Sequence, residues 1–124
     1  MNDHKGWLAR ADEDYRSIQA LRAIPDPPWN SISFHAQQLA EKALKALLIF
    51  HGENPPKTHN LPALVALLIA KGVPLPDLTK ECDALYAPYI TSRYSPTALT
   101  AADVEPLIES AFRIREIVLR LVKP

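Results

Sequence analysis

His35 and His59 are the residues of this chain best suited to move a proton, because imidazole is the side chain that titrates near neutrality. His35 and Lys42 lie two helical turns apart, with Gln38 between them. On a helix the imidazole and the ammonium therefore share one flank. His59 sits in Lys57-Thr58-His59-Asn60-Leu61, just after Pro55 and Pro56, and loops of this kind are frequent carriers of binding and catalysis. The plainer reading of each is a half-buried or loop-bracing histidine satisfied by a hydrogen bond. Arg93-Tyr94-Ser95-Pro96 is a third group. An arginine can grip a phosphate or carboxylate through two nitrogens, and a tyrosine can stack on a base. The alternative there is an arginine paired with a nearby acid and a tyrosine plugging the end of a bundle.

Other chemistries lack their residues. The four histidines, His4, His35, His51 and His59, never take the HExxH spacing and the carboxylates are scattered, so neither a metal site nor a cofactor is expected. There is no glycine-rich phosphate loop and no nucleophile elbow, and Ser31, Ser33 and Cys82 have no activating neighbours. Cys82 is the one cysteine, which rules out an intrachain disulfide and fits a reducing cytoplasm. Lysine plus arginine (14) balances aspartate plus glutamate (14), which argues against an unaided grip on long nucleic acid but leaves room for a local basic pocket. A net charge near zero also makes self-association easy. No run of about 20 apolar residues is present, so no membrane span is expected. The N-terminus MNDHKGWLAR has no signal-peptide pattern, and the expected location is cytoplasmic.

These side chains have to be positioned by helices. The twelve prolines gather between periodic segments, at Pro25/Pro27/Pro28, Pro55/Pro56, Pro74/Pro76 and Pro96. The spacing predicts a first helix over His4 to Ala23, with Trp7, Ala11, Ile18 and Leu21 on one arc and Leu8 and Tyr15 flanking it. A second is expected over Ser31 to His51, its core face made of Ala36, Leu39, Ala40, Ala43, Ala46, Leu47 and Phe50. Gln37, Glu41 and Lys45 are expected to face away from that core. A short third runs from about Leu61 to Lys71, capped by Asn60 and ended by Gly72. A fourth covers about Asp77 to Ser92, kinked or interrupted at Pro88. A fifth follows the capping box Thr100-Ala-Ala-Asp103 and continues through Leu121. The fold class is all-α, an up-and-down antiparallel bundle of four to five helices in one domain over residues 1–124. A mixed α/β domain is the alternative.

Two charges break the apolar stripes. Asp14 falls between Ala11 and Ile18, and Arg115 falls between Ala111 and Val118. An isolated buried charge is very costly, so each must find a partner or reach solvent. A reciprocal Asp14–Arg115 pair is one solution, and an arginine stem reaching to the edge is another. A polar pocket or a subunit interface would serve as well.

The run Phe34-His35-Ala36-Gln37-Gln38-Leu39-Ala40-Glu41-Lys42-Ala43-Leu44-Lys45-Ala46-Leu47 resembles the central helix of HEPN domains. Lys57 to Leu61, Ser92-Arg93-Tyr94-Ser95-Pro96 and the opening Trp7, Ala11 and Asp14 fit the same pattern in the same order. The resemblance spans essentially the whole chain. It implies a helical bundle that is often dimeric, so a homodimer is expected. It also implies a partner, because small HEPN proteins are commonly encoded beside a minimal nucleotidyltransferase, often as a toxin–antitoxin pair. Many relatives are metal-independent ribonucleases with an arginine followed four to six positions later by a histidine. Arg93 matches that arginine, whereas Tyr94 to Thr100 contain no histidine.

The leading expectation is therefore a nucleotide- or RNA-associated binding subunit acting with a nucleotidyltransferase partner. Its ligand-binding candidates are Arg93, Tyr94, His35, Lys42 and His59, with Asp14 and Arg115 as structural polar groups. A metal-independent endoribonuclease that draws its proton carrier from His35 or His59 is the first alternative. A structural helical dimer without ligand is the second.

Overall fold

Proline and glycine set the breaks between five helices. The computed structural model describes residues 3–94 and 98–122, and the side chains of 3–86 and 98–122. The helices are α1 (His4–Arg22), α2 (Trp29–Phe50), α3 (Leu61–Ala70), α4 (Thr79–Tyr94) and α5 (Ala101–Leu121), and no strand occurs among the described residues. They form an up-and-down bundle. The chain stops α2 and α3 at Gly52 and Gly72, whose φ values of 81° and 82° are left-handed and suit a residue without Cβ. Asn60 Oδ1 accepts from Ala63 N–H at 3.2 Å and caps α3. At α5 the Asp103 carboxylate accepts from both the N–H and the hydroxyl of Thr100, at 2.9 and 3.0 Å. These two bonds hold the Asp103 pKa below its ordinary value.

The 22 residues of α2 make a rod of about 33 Å, which is the axis of the molecule. It packs against α1, α3, α4 and α5. Its core residues Leu39, Ala40, Ala43 and Leu47 meet Ile18 of α1, Leu64 and Leu68 of α3, Leu85 of α4 and Ile108, Ala111 and Ile114 of α5 in one buried cluster. Asn30 Oδ1, in the first turn of α2, accepts from Leu99 N–H at 2.8 Å and ties the approach to α5 back onto the central helix.

Four expectations are corrected. Gln37, Glu41 and Lys45 do not face away from the core but are buried. Spacing of four is shared by an exposed face and by a polar row that satisfies itself, and here Lys45 and Glu41 pair at 2.9 Å. Phe50 is exposed rather than in the core, because it lies in the last turn of α2, where its ring meets His4 and His51. The fourth helix continues through Pro88 to Tyr94, past the expected end at Ser92, so Arg93 and Tyr94 belong to α4 rather than to a connector. The central helix begins at Trp29, directly after Pro28, two residues earlier than expected, because no side-chain cap marks that start.

Candidate functional site

From Ile32 to Leu48, every residue of α2 is buried except Phe34, His35, Gln38 and Lys42. At 3.6 residues per turn these four lie within about 100° of the helix circumference. A helix covered on nearly all sides thus opens one strip to solvent. The strip carries an aromatic ring, an imidazole, an amide and an ammonium.

Asp14, reached from α1, organises the strip. Its Oδ1 lies 2.8 Å from His35 Nδ1 and its Oδ2 accepts from Lys42 Nζ at 2.8 Å. The carboxylate is buried, whereas the side chains of His35 and Lys42 are 28% and 24% exposed. A carboxylate offers only lone pairs, so the imidazole carries its hydrogen on Nδ1. This leaves Nε2 on the far side of the ring, as an acceptor in the neutral form and a donor in the cation. Lys42 gives Asp14 one of its three N–H bonds and keeps two. The cluster can therefore hold a phosphate oxygen or accept a proton from a hydroxyl, with its imidazole orientation fixed in advance.

A second carboxylate, Glu41, stands further round the same helix. Its Oε1 lies 2.7 Å from His59 Nδ1 and accepts from Gln37 Nε2 at 3.2 Å, and its Oε2 accepts from Lys45 Nζ at 2.9 Å. Gln37 Nε2 also reaches the His59 carbonyl at 3.2 Å. Trp7 of α1 covers the far end, its ring centroid 5.7 Å from Lys45 Nζ. The network pins the loop before α3 onto α2 and gives the buried Glu41 and Lys45 charges each an opposite one.

His35 and His59 are therefore held by different carboxylates, and none of the described hydrogen bonds joins the two clusters. The candidates His35 and Lys42 come together, and Asp14, identified as a break in the apolar stripe, joins them. The reciprocal Asp14–Arg115 pair does not form. Arg115 instead lays its guanidinium carbon 3.6 Å from the centroid of Tyr15 and lies 3.7 Å from Asp12 Oδ1, reaching the edge on an apolar stem. Arg93 and Tyr94 occupy the last turn of α4 and their side chains lie outside the described residues, as do Ser95 and Pro96. Sequence reasoning missed Phe34 as a strip residue and Glu41 as a hub. The signal for Phe34 was its register, four residues before Gln38 and eight before Lys42.

Two other features are separate from this strip. A groove of about 250 Å³ between α3 and the start of α4 is lined by Pro62, Val65, Ile69, Leu78 and Cys82. Burial, aided by the neighbouring Glu81 and Asp83 charges, pushes the Cys82 thiol up to about 11, which suits a packing residue rather than a nucleophile. Among the described residues no three His, Cys, Asp or Glu side chains gather as a metal-ligating group, and no helix is long and apolar enough to cross a membrane.

The comparisons agree with the fold. No functionally curated protein matches the sequence. The crystal structure of TT1696 from Thermus thermophilus superposes with a TM-score of 0.77 at 26% identity, covering 97% of this chain and 98% of that one. The crystal structure of ST0689, an archaeal HEPN homologue, superposes with a TM-score of 0.78 at 24% identity, covering 99% of this chain and 100% of that one, a likeness of fold. The HEPN domain family itself matches residues 4–121, and this chain belongs to the HEPN family.

Proposed function

We propose that this HEPN chain is a binding subunit for a nucleotide or RNA, and that the exposed strip of α2 is where the ligand's phosphate is held. The observation that carries the reading is the Asp14 carboxylate bonded to both His35 and Lys42, at 2.8 Å each, behind a solvent-open face. Lys42 supplies two donors to a phosphate oxygen, and His35 supplies a third when its Nε2 is protonated. Asp14 offsets the ammonium, so the site is weakly charged. It suits a short phosphate-bearing segment rather than a long duplex. The balanced charge of the whole chain supports a division of labour, in which a nucleotidyltransferase partner carries the wider polynucleotide grip. A toxin–antitoxin setting, a homodimeric state and a part for Arg93 and Tyr94 belong to the same proposal. The test is fluorescence anisotropy with a short labelled RNA and with ATP, in EDTA. Wild-type protein should bind, and Lys42→Ala should weaken binding about tenfold. Equal affinity of wild type and K42A, or no binding by either, rejects the site.

The Asp14–His35 hydrogen bond favours one second reading, a metal-independent endoribonuclease. A carboxylate that holds Nδ1–H aims a basic Nε2 at a ribose 2′-hydroxyl: Nε2 takes its proton as the 2′-oxygen bonds to phosphorus, the bond from phosphorus to the 5′-oxygen breaks, and that oxygen leaves protonated, giving a 2′,3′-cyclic phosphate and a 5′-hydroxyl. RNA incubated with the protein in EDTA should then be cleaved by wild type and spared by His35→Ala and Arg93→Ala. RNA left intact from pH 5 to 9 removes the reading.

A further inference from the structure

We infer that the groove between α3 and α4 is a docking site for a basic amphipathic helix of a partner protein. This surface is independent of the strip on α2 and of the reading proposed for it. Leu61 to Ala70 include no charged and no hydrogen-bonding side chain, although α3 lies at the surface. A helix that is apolar all round is ordinarily buried on every side. Here one stripe is buried, Leu61, Leu64 and Leu68, and it enters the core. Pro62, Val65, Ala66 and Ile69 form a second stripe at i, i+3, i+4 and i+7, within about 100° of the helix circumference, and it lines the groove instead. Ile69, at the end of that stripe, is 57% exposed. The opposite wall belongs to the start of α4, where the buried Leu78 and Cys82 make an apolar floor. Tyr86, four residues past Cys82, is exposed and carries that wall onward.

Shape and charge decide what fits. A volume of about 250 Å³ falls short of the roughly 300–1,000 Å³ of pockets that enclose a small molecule, so the groove suits the anchor side chains of something larger. Both walls are helices, whose backbone groups are spent within the helix. An extended peptide laid between them would find no partners for its own N–H and C=O groups, whereas a helix brings those bonds with it. The ten residues of α3 span about 15 Å, room for about three turns with apolar anchors at i, i+3 or i+4 and i+7. The charge is one-sided. Asp77 and Asp83 line the groove, and no lysine, arginine or histidine is among the described residues that do. Asp77 Oδ1 accepts from Thr79 N–H at 3.0 Å, which fixes that carboxylate in place. An apolar floor with an anionic rim selects an apolar segment that carries lysine or arginine. It also disfavours a second copy of this chain, because a two-fold interface joins a patch to itself and would bring two anionic rims together.

Fluorescence anisotropy with three labelled peptides tests this directly. The first is a helix of about 14 residues with leucine at i, i+4 and i+7, lysine beside the leucines and alanine elsewhere. The second replaces each lysine by glutamate, and the third scrambles the leucines. The lysine peptide should bind about tenfold tighter than the glutamate peptide at low salt, with the gap narrowing as salt is added. It should also bind at least tenfold tighter than the scrambled peptide. Ile69→Lys, a change at an exposed position, should remove binding of the lysine peptide without moving the urea midpoint. Asp83→Lys should invert the preference between the two charged peptides. Oligocytidylate, a single-stranded RNA, should not displace the lysine peptide. Sedimentation velocity covers self-association: a wild-type dimer that I69K dissolves, with no peptide bound, assigns the groove to a second copy and overturns the inference. Displacement of the peptide by RNA assigns the groove to RNA and overturns it as well. So does no binding of the lysine peptide, equal binding of the lysine and glutamate peptides, or binding undiminished by I69K.

Discussion

The two carboxylates beside α2 are built from the same parts and lead to opposite surroundings. Asp14 and Glu41 are both buried, and each holds one histidine through Nδ1 and one lysine through Nζ at 2.7–2.9 Å. The lysine on Glu41 is itself buried, only 8% exposed, under Trp7, while its histidine is 61% exposed on a loop. The lysine and histidine on Asp14 are both open to solvent from the helix itself. A charge pair closed in by protein fixes a loop in place. A pair whose cations face water keeps donors for something else. Access to the lysine, rather than residue type, separates the two roles.

The largest effect should come from breaking the closed cluster. Glu41→Ala leaves the Lys45 ammonium buried without its carboxylate, and urea unfolding should show a loss of about 3–5 kcal/mol. Replacing the pair together, Glu41→Leu with Lys45→Met, should recover most of that loss, because well-packed apolar side chains remove the uncompensated charge. A single and a double variant of equal stability would contradict the account of this cluster.

The open cluster should respond in the other order. Asp14→Asn keeps the size of the side chain and leaves Lys42 free to turn to water, so it should cost only about 1–2 kcal/mol in the same assay. It should tighten RNA binding at low salt rather than weaken it, because the Lys42 ammonium is no longer offset by a carboxylate. A loss of stability as large as that of E41A, with binding intact, would make the two clusters equivalent. A smaller effect is expected at His59, where the ring is mostly in solvent. His59→Ala should lower stability by about 1 kcal/mol or less without changing RNA affinity.

An exposed carboxylate outside both clusters gives the baseline. Thr100 donors hold the Asp103 pKa below its ordinary value of 3.8. A depressed carboxylate contributes stability above its unfolded value and loses it as the pH falls through the lower folded value. The stability advantage of wild type over Asp103→Asn should therefore be present at neutral pH and fade below 3.8, as read by urea midpoints across pH. An advantage undiminished at the acid end of that series would contradict the capping role.

The architecture was legible because its determinants are local. Asn60, Thr100 and Asp103 announce helix starts, Gly52 and Gly72 announce stops, and the apolar periods of α1 and α5 name their own core. The lateral environment of α2 was not legible. Gln37, Glu41 and Lys45 carry the spacing of a solvated face, and what buries them is Trp7, far earlier in the chain, and a loop that folds back. Asp14 declared itself by interrupting an apolar stripe, and His35 and Lys42 by their shared flank. Their meeting depends on how α1 and α2 cross, which no local pattern encodes. Phe34 looked ordinary until nearly everything around it on α2 proved to be buried.

The central claim is that this strip of α2 is the ligand surface. Backbone amide chemical shifts, followed by NMR while the protein is titrated with oligocytidylate, test it most directly. Perturbations should cluster on residues 34–42 of α2 and around Asp14 of α1, and the α3–α4 groove at Val65 and Cys82 should stay silent. Perturbations confined to that groove, with the strip unmoved, would contradict the account.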